Sequence, residues 1–498
     1  IASKLFSLPQ NPAAIEQSLM ELGMATCDIK TVLKMVRGGN PLNAFAGSLL
    51  EAVDVIDGDE HGLLVYTETS GIWQRKSEGF FLNLLRTMII PQEQTVANVW
   101  HDLSQEIRAR VWREQTGLNV PNSRYIVLAN GVYDTVNWSF SPEFSPSLNA
   151  RTCLPLEYRE GAKTVLFDRF LRELFLRPDE EGDLLAEARA DNKAAYIKEL
   201  IGLLMIPDTS LRAFWTFLGD GRNGKSTLLS LISSLLGTNN VAALSLRQLE
   251  DRFTPELLVD KLLNVASENE NARPSARVTE LLKQVVGQDR ITVERKYERP
   301  YLALIPARFI IAANRPIRWG DSSKAMEDRQ RNAMLDFPCR FVTDTMHAHD
   351  NERPADAFIV QKLMREASGI FNAAMNGLRD LRERGALREL SSDNLLLNEL
   401  VESEPVPTFF RETIRPQGAN DEPAAPLRVK DLYEEFQVWW RERFTTTPPS
   451  ESHEFSTGLK RFIDTYAKDA KIVRSGEVGN PKTVTGVWVK RQLRRKND

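Results

Sequence analysis

The chain has 498 residues, of which 42% are apolar and 27% charged, and its 64 Lys and Arg against 68 Asp and Glu give a net charge of −4. At roughly 150 residues per domain, this length predicts about three domains, each able to bury its own core. No apolar run approaches the ~18 residues that cross a bilayer, and three scattered cysteines (Cys27, Cys153, Cys339) offer neither a disulfide framework nor a metal clasp, so helical membrane proteins and stapled miniproteins are excluded and a reducing cytosol is expected.

The first residue is Ile and no basic-then-apolar signal follows it, which predicts a piece of a longer polypeptide. Residues 1–120 mix helical spacing at Ala14–Leu22 and Phe81–Ile89 with strand-like Leu63–Thr67 before Gly71-Ile72-Trp73, an α-rich region with a small β element. Tyr125–Leu128 before Asn130-Gly131 adds another short strand. From about 191 to 400 the pattern changes. Apolar runs at Phe214–Leu218, Leu262–Ala266, Phe309–Ala313 and Met334–Phe337 alternate with helix-length segments, among them Thr227–Leu236 and Val278–Val286. Strands alternating with helices predict an α/β core, a mainly parallel sheet covered on both faces.

After the first of these strands comes Gly219-Asp220-Gly221-Arg222-Asn223-Gly224-Lys225-Ser226, which satisfies G-x-x-x-x-G-K-[ST]. Glycines let successive N–H groups curl around a phosphate, and the following helix N-terminus, at Thr227, adds its partial positive charge. Lys225 is then the residue for the β/γ-phosphates and the Ser226 hydroxyl a ligand for Mg²⁺, so ATP and Mg²⁺ are the expected cofactors. Lys261–Ser267 reads as a buried strand running into Glu268 and Glu270. Glu268, the first acid, is the candidate to hold Mg²⁺ and activate water; an acid at a solvated strand end is the alternative. Asn314 ends the strand Phe309–Ala313 and suits polarisation of water or a γ-phosphate contact. Between these strands, the alternation of Ile291–Arg295 and Tyr301–Leu304 predicts a hairpin whose tip carries Arg295, Lys296 and Tyr297, cations beside an aromatic as a strand-tracking loop requires. His347 and His349 have no acid or cysteine set beside them and read as an exposed loop.

The order of these motifs, with the Gly-x-Asp-x-Ile-x-x-Glu-x-Lys-Tyr segment at 287–297, Ala-Asn-x-Pro at 313–316 and arginines before Leu335-Asp336-Phe337, resembles superfamily 3 helicases. The likeness is greatest to phage and plasmid primase-helicases related to the poxvirus primase-helicase. Asn130–Asp134, Phe144-Ser145-Pro146, Leu154–Tyr158 and Phe167–Leu174 look like the helical domain, here 121–190, that precedes the motor in that family. The resemblance implies an AAA+ type P-loop NTPase at 191–400. In it Lys225 and Ser226 bind nucleotide and Mg²⁺, Glu268 activates water, Asn314 senses the γ-phosphate, and Lys296 with Tyr297 projects into a ring channel. It also implies an arginine supplied by the adjacent subunit, Arg331 first and Arg329 second, in a hexamer moving 3′ to 5′ on DNA.

Prolines and polar residues at 401–426 read as a linker. Residues 426–498 hold 15 Lys and Arg against 10 Asp and Glu and look like a winged-helix DNA-binding module over 427–498. Leu432, Tyr433, Phe436 and Trp440 are its core, Phe455–Tyr466 its second helix, and Lys471–Ser475 with Val484–Lys490 its wing. Lys460, Arg461, Lys482 and the terminal basic residues are the candidate phosphate contacts. The whole predicts an ATP-driven, ring-forming DNA helicase of a phage, plasmid or integrated element, acting on single-stranded and forked DNA in the bacterial cytoplasm. A priming domain before Ile1 would make it half of a primase-helicase. A non-unwinding P-loop motor and a nucleotide-controlled origin-binding module are the alternatives.

Overall fold

The structure is a computed structural model that describes residues 55–57, 63–76, 104–105, 107–111, 122–208, 210–219, 221–267, 274–296, 300–314, 317, 319, 324–330, 333–343, 352–390, 406, 409–410, 413–416, 427–443, 455, 459–460, 471–474, 482–485 and 487–489. The described residues fall into two compact units, one within 1–315 and 320–391 and the other within 392–498 together with Pro316–Trp319.

In the first unit, β1 (Val55–Asp57), β2 (Leu63–Thr67) and β3 (Ile72–Arg75) form an antiparallel sheet in that order. The strand-like pieces at 63–73 are therefore its second and third strands, while the helical readings at Ala14–Leu22 and Phe81–Ile89 lie outside the described residues. Next come β4 (Tyr125–Leu128), β5 (Gly131–Asp134), β6 (Ser139–Ser141) and β7 (Cys153–Leu154), in the order β6-β5-β4-β7. The segment 121–190, expected to be helical, thus opens with a four-stranded sheet. Its physical basis is the β-branched and aromatic content of these strands and the short Ala129-Asn130 turn between Leu128 and Gly131, which pair across the hairpin.

Helix α1 (Leu166–Phe175) buries Phe167, Phe170, Leu171 and Leu174, an i, i+3, i+4, i+7 stripe. Val165 gives it no side-chain cap. The Glu366 carboxylate, 200 residues on, accepts instead from the N–H groups of Val165, Leu166 and Phe167 at 3.3, 2.9 and 3.0 Å. Helix α2 (Leu184–Leu204) starts on an Asp183 cap and continues through 190/191, so the boundary expected there falls inside a helix.

The chain then runs β8 (Trp215–Leu218), α3 (Lys225–Leu236), β9 (Val241–Ala242), β10 (Leu263–Ser267), α4 (Ala276–Gly287), β11 (Arg290–Val293), β12 (Tyr301–Leu304), β13 (Arg308–Ala313), α5 (Lys324–Gln330) and β14 (Met334–Asp336). A parallel pair, β15 (Arg340–Val342) with β16 (Glu352–Pro354), and helices α6 (Ile359–Met364) and α7 (Ala367–Arg384) complete the unit. Strands β14-β8-β13-β10-β9 form one sheet in that order, every pair parallel. All four residues of β8 are buried, as a strand covered on both faces requires. Helices α2 and α7 approach closely at glycines: a Cβ on Gly202 would lie 2.2 Å from the Ala374 carbonyl, and one on Gly377 2.7 Å from the Glu199 nitrogen. Among the described residues no helix is long and apolar enough to cross a membrane.

The second unit contains β17 (Ile414–Pro416), β18 (Leu427–Arg428), α8 (Val429–Arg443), β19 (Lys471–Arg474), β20 (Lys482–Thr485) and β21 (Val487–Val489). Its core gathers Val406, Phe409, Phe410, Leu432, Phe436, Trp439, Trp440, Phe455 and Leu459, with Tyr433 packed on it. Two expectations change. Within the 401–426 stretch read as a linker, Val406, Phe409 and Phe410 are core residues and β17 pairs with β21. The prolines there interrupt a segment whose i, i+3, i+4 apolar residues still find a face to bury. The wing over Lys471–Ser475 and Val484–Lys490 divides, since β19 pairs with β20 while β21 leaves to pair with β17.

Candidate functional site

The C-terminal ends of four parallel strands meet at one edge of the sheet. Leu218, the last residue of β8, pairs with Ala313 of β13 on one side and Asp336 of β14 on the other, and Ser267, ending β10, pairs with Ala312. The described residues one step beyond are Gly219, Asn314 and Phe337; Glu268, which follows Ser267 in the sequence, lies outside the described residues. The chain crosses over β8 to pass from β13 to β14, so the glycine-rich loop leaves the sheet where the strand order reverses, the place where open α/β sheets bind ligands.

The loop is held from below. Gly221 N–H donates to the Gly219 carbonyl at 2.9 Å, Phe337 N–H to the Leu218 carbonyl at 2.9 Å, and Phe341 N–H to the Arg222 carbonyl at 2.7 Å. Asn223 is buried and its amide donates to the Phe337 carbonyl at 3.5 Å. Gly221 takes φ +91° and a Cβ there would meet nothing within 4 Å, whereas Gly224 takes φ +80° and a Cβ there would sit 2.3 Å from Leu174 Cδ2. One glycine serves curvature, the other curvature and a close approach to α1. Gly224 begins α3 without any side-chain cap, so the first N–H groups of this helix are directed past the loop and not into a capping side chain.

Lys225 is 6% exposed, and its Nζ donates to the Gly219 carbonyl, which puts the ammonium inside the curve of the loop. Ser226 and Arg222 are exposed and Thr227 half-buried at the start of α3. Asp220 lies outside the described residues. A curved backbone with open space at Gly221, an uncapped helix start, a buried ammonium and an exposed hydroxyl one residue later form a donor set that suits a polyphosphate and its Mg²⁺. Among the described residues no group of three His, Cys, Asp or Glu converges, and Mg²⁺ in such sites is commonly held by one or two protein oxygens with phosphates and water.

Asn314 is exposed at the end of β13, one step beyond the Ala313–Leu218 pair. Glu268, Tyr297, Arg331, His347, His349 and Arg461 lie outside the described residues; Lys460 is exposed. Arg329 is half-buried in α5, its carbonyl accepts from Phe214 N–H at 3.3 Å, and its Nη2 lies 3.9 Å from the Cβ position of Gly287.

The predicted hairpin is present: β11 and β12 are antiparallel, with Val293 opposite Tyr301 at its end. Its cations are not equivalent. Lys296 is exposed, with Nζ 5.7 Å from the Phe253 ring centre. Arg295, expected at the tip with it, is turned back: its side chain is 9% exposed, Nε donates to Glu256 Oε1 at 2.6 Å, and Nη2 donates to the Tyr301 hydroxyl at 2.7 Å. In this structure its guanidinium is bonded within the protein, to the Glu256 carboxylate and the Tyr301 hydroxyl. Burial first, and then the bond to and charge of Glu256, push the Tyr301 phenol well above its ordinary range.

Two residues that sequence reasoning missed bear on the loop. Lys193 of α2 pairs with Asp336 at the end of β14, and Tyr196, one turn on, accepts the Trp215 indole N–H of β8 at 2.8 Å. The first contact spans 143 residues of chain, and a lysine on a mixed helix carries no signal for it.

Residues 217–331 match the family described as "Family of unknown function (DUF5906)". The chain is 21% identical over 294 residues to the Acanthamoeba polyphaga mimivirus protein named "Putative helicase L207/L206", a match that takes 56% of this chain and 30% of that protein. It thus spans under a third of that relative's length. Among solved structures it is similar to the A form apo structure of the NrS-1 C-terminal region, at 14% identity over 88% of this chain and 98% of that one, with a TM-score of 0.39. The apo structure of NrS-1 C-terminal region 305–718 follows at 12% identity, 67% and 79% coverage, and a TM-score of 0.35.

Proposed function

We propose that the chain is an ATP-driven DNA helicase of a phage, plasmid or integrated element, an AAA+ motor of superfamily 3 type that works as a hexameric ring. The observation that carries the reading is the loop at 219–226, which leaves the end of β8 at the reversal of the strand order and opens α3 with no side chain in the way. The sequence match to a viral protein named as a helicase supports it. In this reading, N–H groups of the loop and of α3 bind the β- and γ-phosphates, Lys225 neutralises charge on them, and Ser226 with Glu268 holds Mg²⁺. Mg²⁺, when bound, supplies charge neutralisation on the transferring phosphoryl group. Glu268 accepts the proton of the attacking water, and Asn314 orients that water or the γ-phosphate.

An arginine from a neighbouring copy completes the site, Arg331 before Arg329, and such a group is worth about 10³–10⁵ in rate. Isolated subunits therefore hydrolyse ATP slowly. Lys296 with Tyr297 grips single-stranded DNA, and Lys460 and Arg461 add phosphate contacts from the second unit.

Steady-state ATP hydrolysis with and without oligo-dT tests the reading. Hydrolysis stimulated by DNA and lost at least a hundredfold in Lys225→Ala and Glu268→Gln is the expected result. Hydrolysis indifferent to DNA would favour a motor on another substrate, and nucleotide binding with no turnover would favour a regulatory origin-binding module.

A further inference from the structure

Four contacts tie one short segment to the two ends of the hairpin connection. Arg252 pairs with Glu294, Phe253 lies under the Lys296 ammonium at 5.7 Å, and Glu256 accepts from both Arg295 and Tyr301. The Glu256 carboxylate is the centre of this set. Oε1 takes Arg295 Nε at 2.6 Å and Arg75 Nη1 from β3 at 3.2 Å, and Oε2 takes the Tyr301 hydroxyl at 2.5 Å. The Arg295 guanidinium also lies 4.4 Å over the Tyr301 ring. Charge-assisted bonds in a half-buried setting are the strong kind, and here they fix the residue just before Lys296 and the first residue of the returning strand.

The clamp is continuous with the strand that leads to Glu268. Residues 252–258 run into β10, where Asn264, fully buried, accepts from Leu244 N–H at 2.9 Å and donates to the Leu244 carbonyl at 3.0 Å. The Leu258 carbonyl accepts from Lys261 N–H at 3.1 Å.

We infer that Glu256 is a positioning residue for polynucleotide: by clamping Arg295 and Tyr301 it sets how Lys296 is presented to single-stranded DNA. The inference rests on the helicase reading and adds a residue that touches neither nucleotide nor DNA.

The test uses the full chain, labelled oligo-dT as probe, and the variants Glu256→Gln, Tyr301→Phe, Lys296→Ala and the double variant Glu256→Gln/Lys296→Ala. Half-saturating oligo-dT should rise at least fivefold in Glu256→Gln and two- to threefold in Tyr301→Phe, which keeps the ring and loses only the hydroxyl. DNA-free ATPase kcat should stay within twofold in both. The double variant should bind no more weakly than Lys296→Ala alone, because a clamp acting through Lys296 has nothing left to position. Unchanged half-saturation in Glu256→Gln and Tyr301→Phe, or losses that add to that of Lys296→Ala, would overturn the inference while leaving the helicase reading intact. Unchanged oligo-dT binding in Lys296→Ala would overturn the DNA-gripping hairpin and the inference with it. Should Glu256→Gln fail to fold, Tyr301→Phe and the double variant Tyr301→Phe/Lys296→Ala decide the question by the same readouts.

Discussion

Lys193 Nζ lies 2.5 Å from Asp336 Oδ1 and joins helix α2 to the strand whose next residue, Phe337, holds the glycine-rich loop through its backbone. The lysine side chain is 10% exposed and the aspartate 35%, with the Phe175 ring 5.8 Å from the ammonium. The pair is thus desolvated mainly on the lysine side.

Lys193→Met removes the desolvated partner and leaves the half-exposed Asp336 carboxylate unpaired by it. Lys193→Met is expected to cost about 1–3 kcal/mol of stability, less than breaking a fully buried pair, read as a lower urea midpoint at unchanged m. ATP affinity should fall severalfold with it, and removing the remaining charge as well, in Lys193→Met/Asp336→Asn, should recover part of the stability.

Gly224→Ala places a Cβ at φ +80° and against Leu174. The backbone strain is about 1–2 kcal/mol, and the leucine must move as well. Thermal unfolding should show a lower Tm without ATP and little or no ATP-induced rise, whereas Gly221→Ala, with open space at its Cβ position, should lose less.

Gln288 closes α4 in the left-handed region at φ +65° with its side chain exposed. Glycine takes that conformation without a Cβ penalty. Gln288→Gly should therefore raise stability by about 0.5–1 kcal/mol, since relief of the strained backbone exceeds the added freedom of the unfolded chain. A lower urea midpoint would contradict this.

The Arg124 guanidinium, bonded to Asp134 at the base of the β4–β5 hairpin, and the N–H groups of Asn137 and Val136 lower the Asp134 carboxyl from 3.8 to about 2. A depressed acid stabilises the fold above its unfolded value and loses that contribution as pH falls through the folded one. Wild type should lose stability between about pH 4 and pH 2 more steeply than Asp134→Asn, by the modest amount expected of an exposed pair. Equal slopes would remove Asp134 from the account.

What was legible in the sequence was what local pattern controls. The strand–loop–helix around Gly219–Ser226, the apolar strands β10, β13 and β14, and the β11–β12 hairpin all follow from short-range periodicity and turn chemistry. What was not legible depends on contacts across the chain. Arg295 and Lys296 look alike as neighbours on a predicted tip, and only the arrival of Glu256 from another segment separates a buried clamp from an exposed cation. Phe409 and Phe410 sit among prolines that suggest a linker, and their burial depends on α8 and Phe455. Glu366 capping α1, and Lys193 holding Asp336, are long-range pairs with no local trace.

Strand displacement from a forked DNA duplex, measured with Mg²⁺ and ATP for the wild-type chain and for Lys225→Ala, tests the central claim most directly. The account predicts displacement that requires ATP and vanishes in the variant. Displacement that survives the loss of Lys225, or DNA-stimulated ATP hydrolysis by wild type with no displacement of either strand, would contradict it.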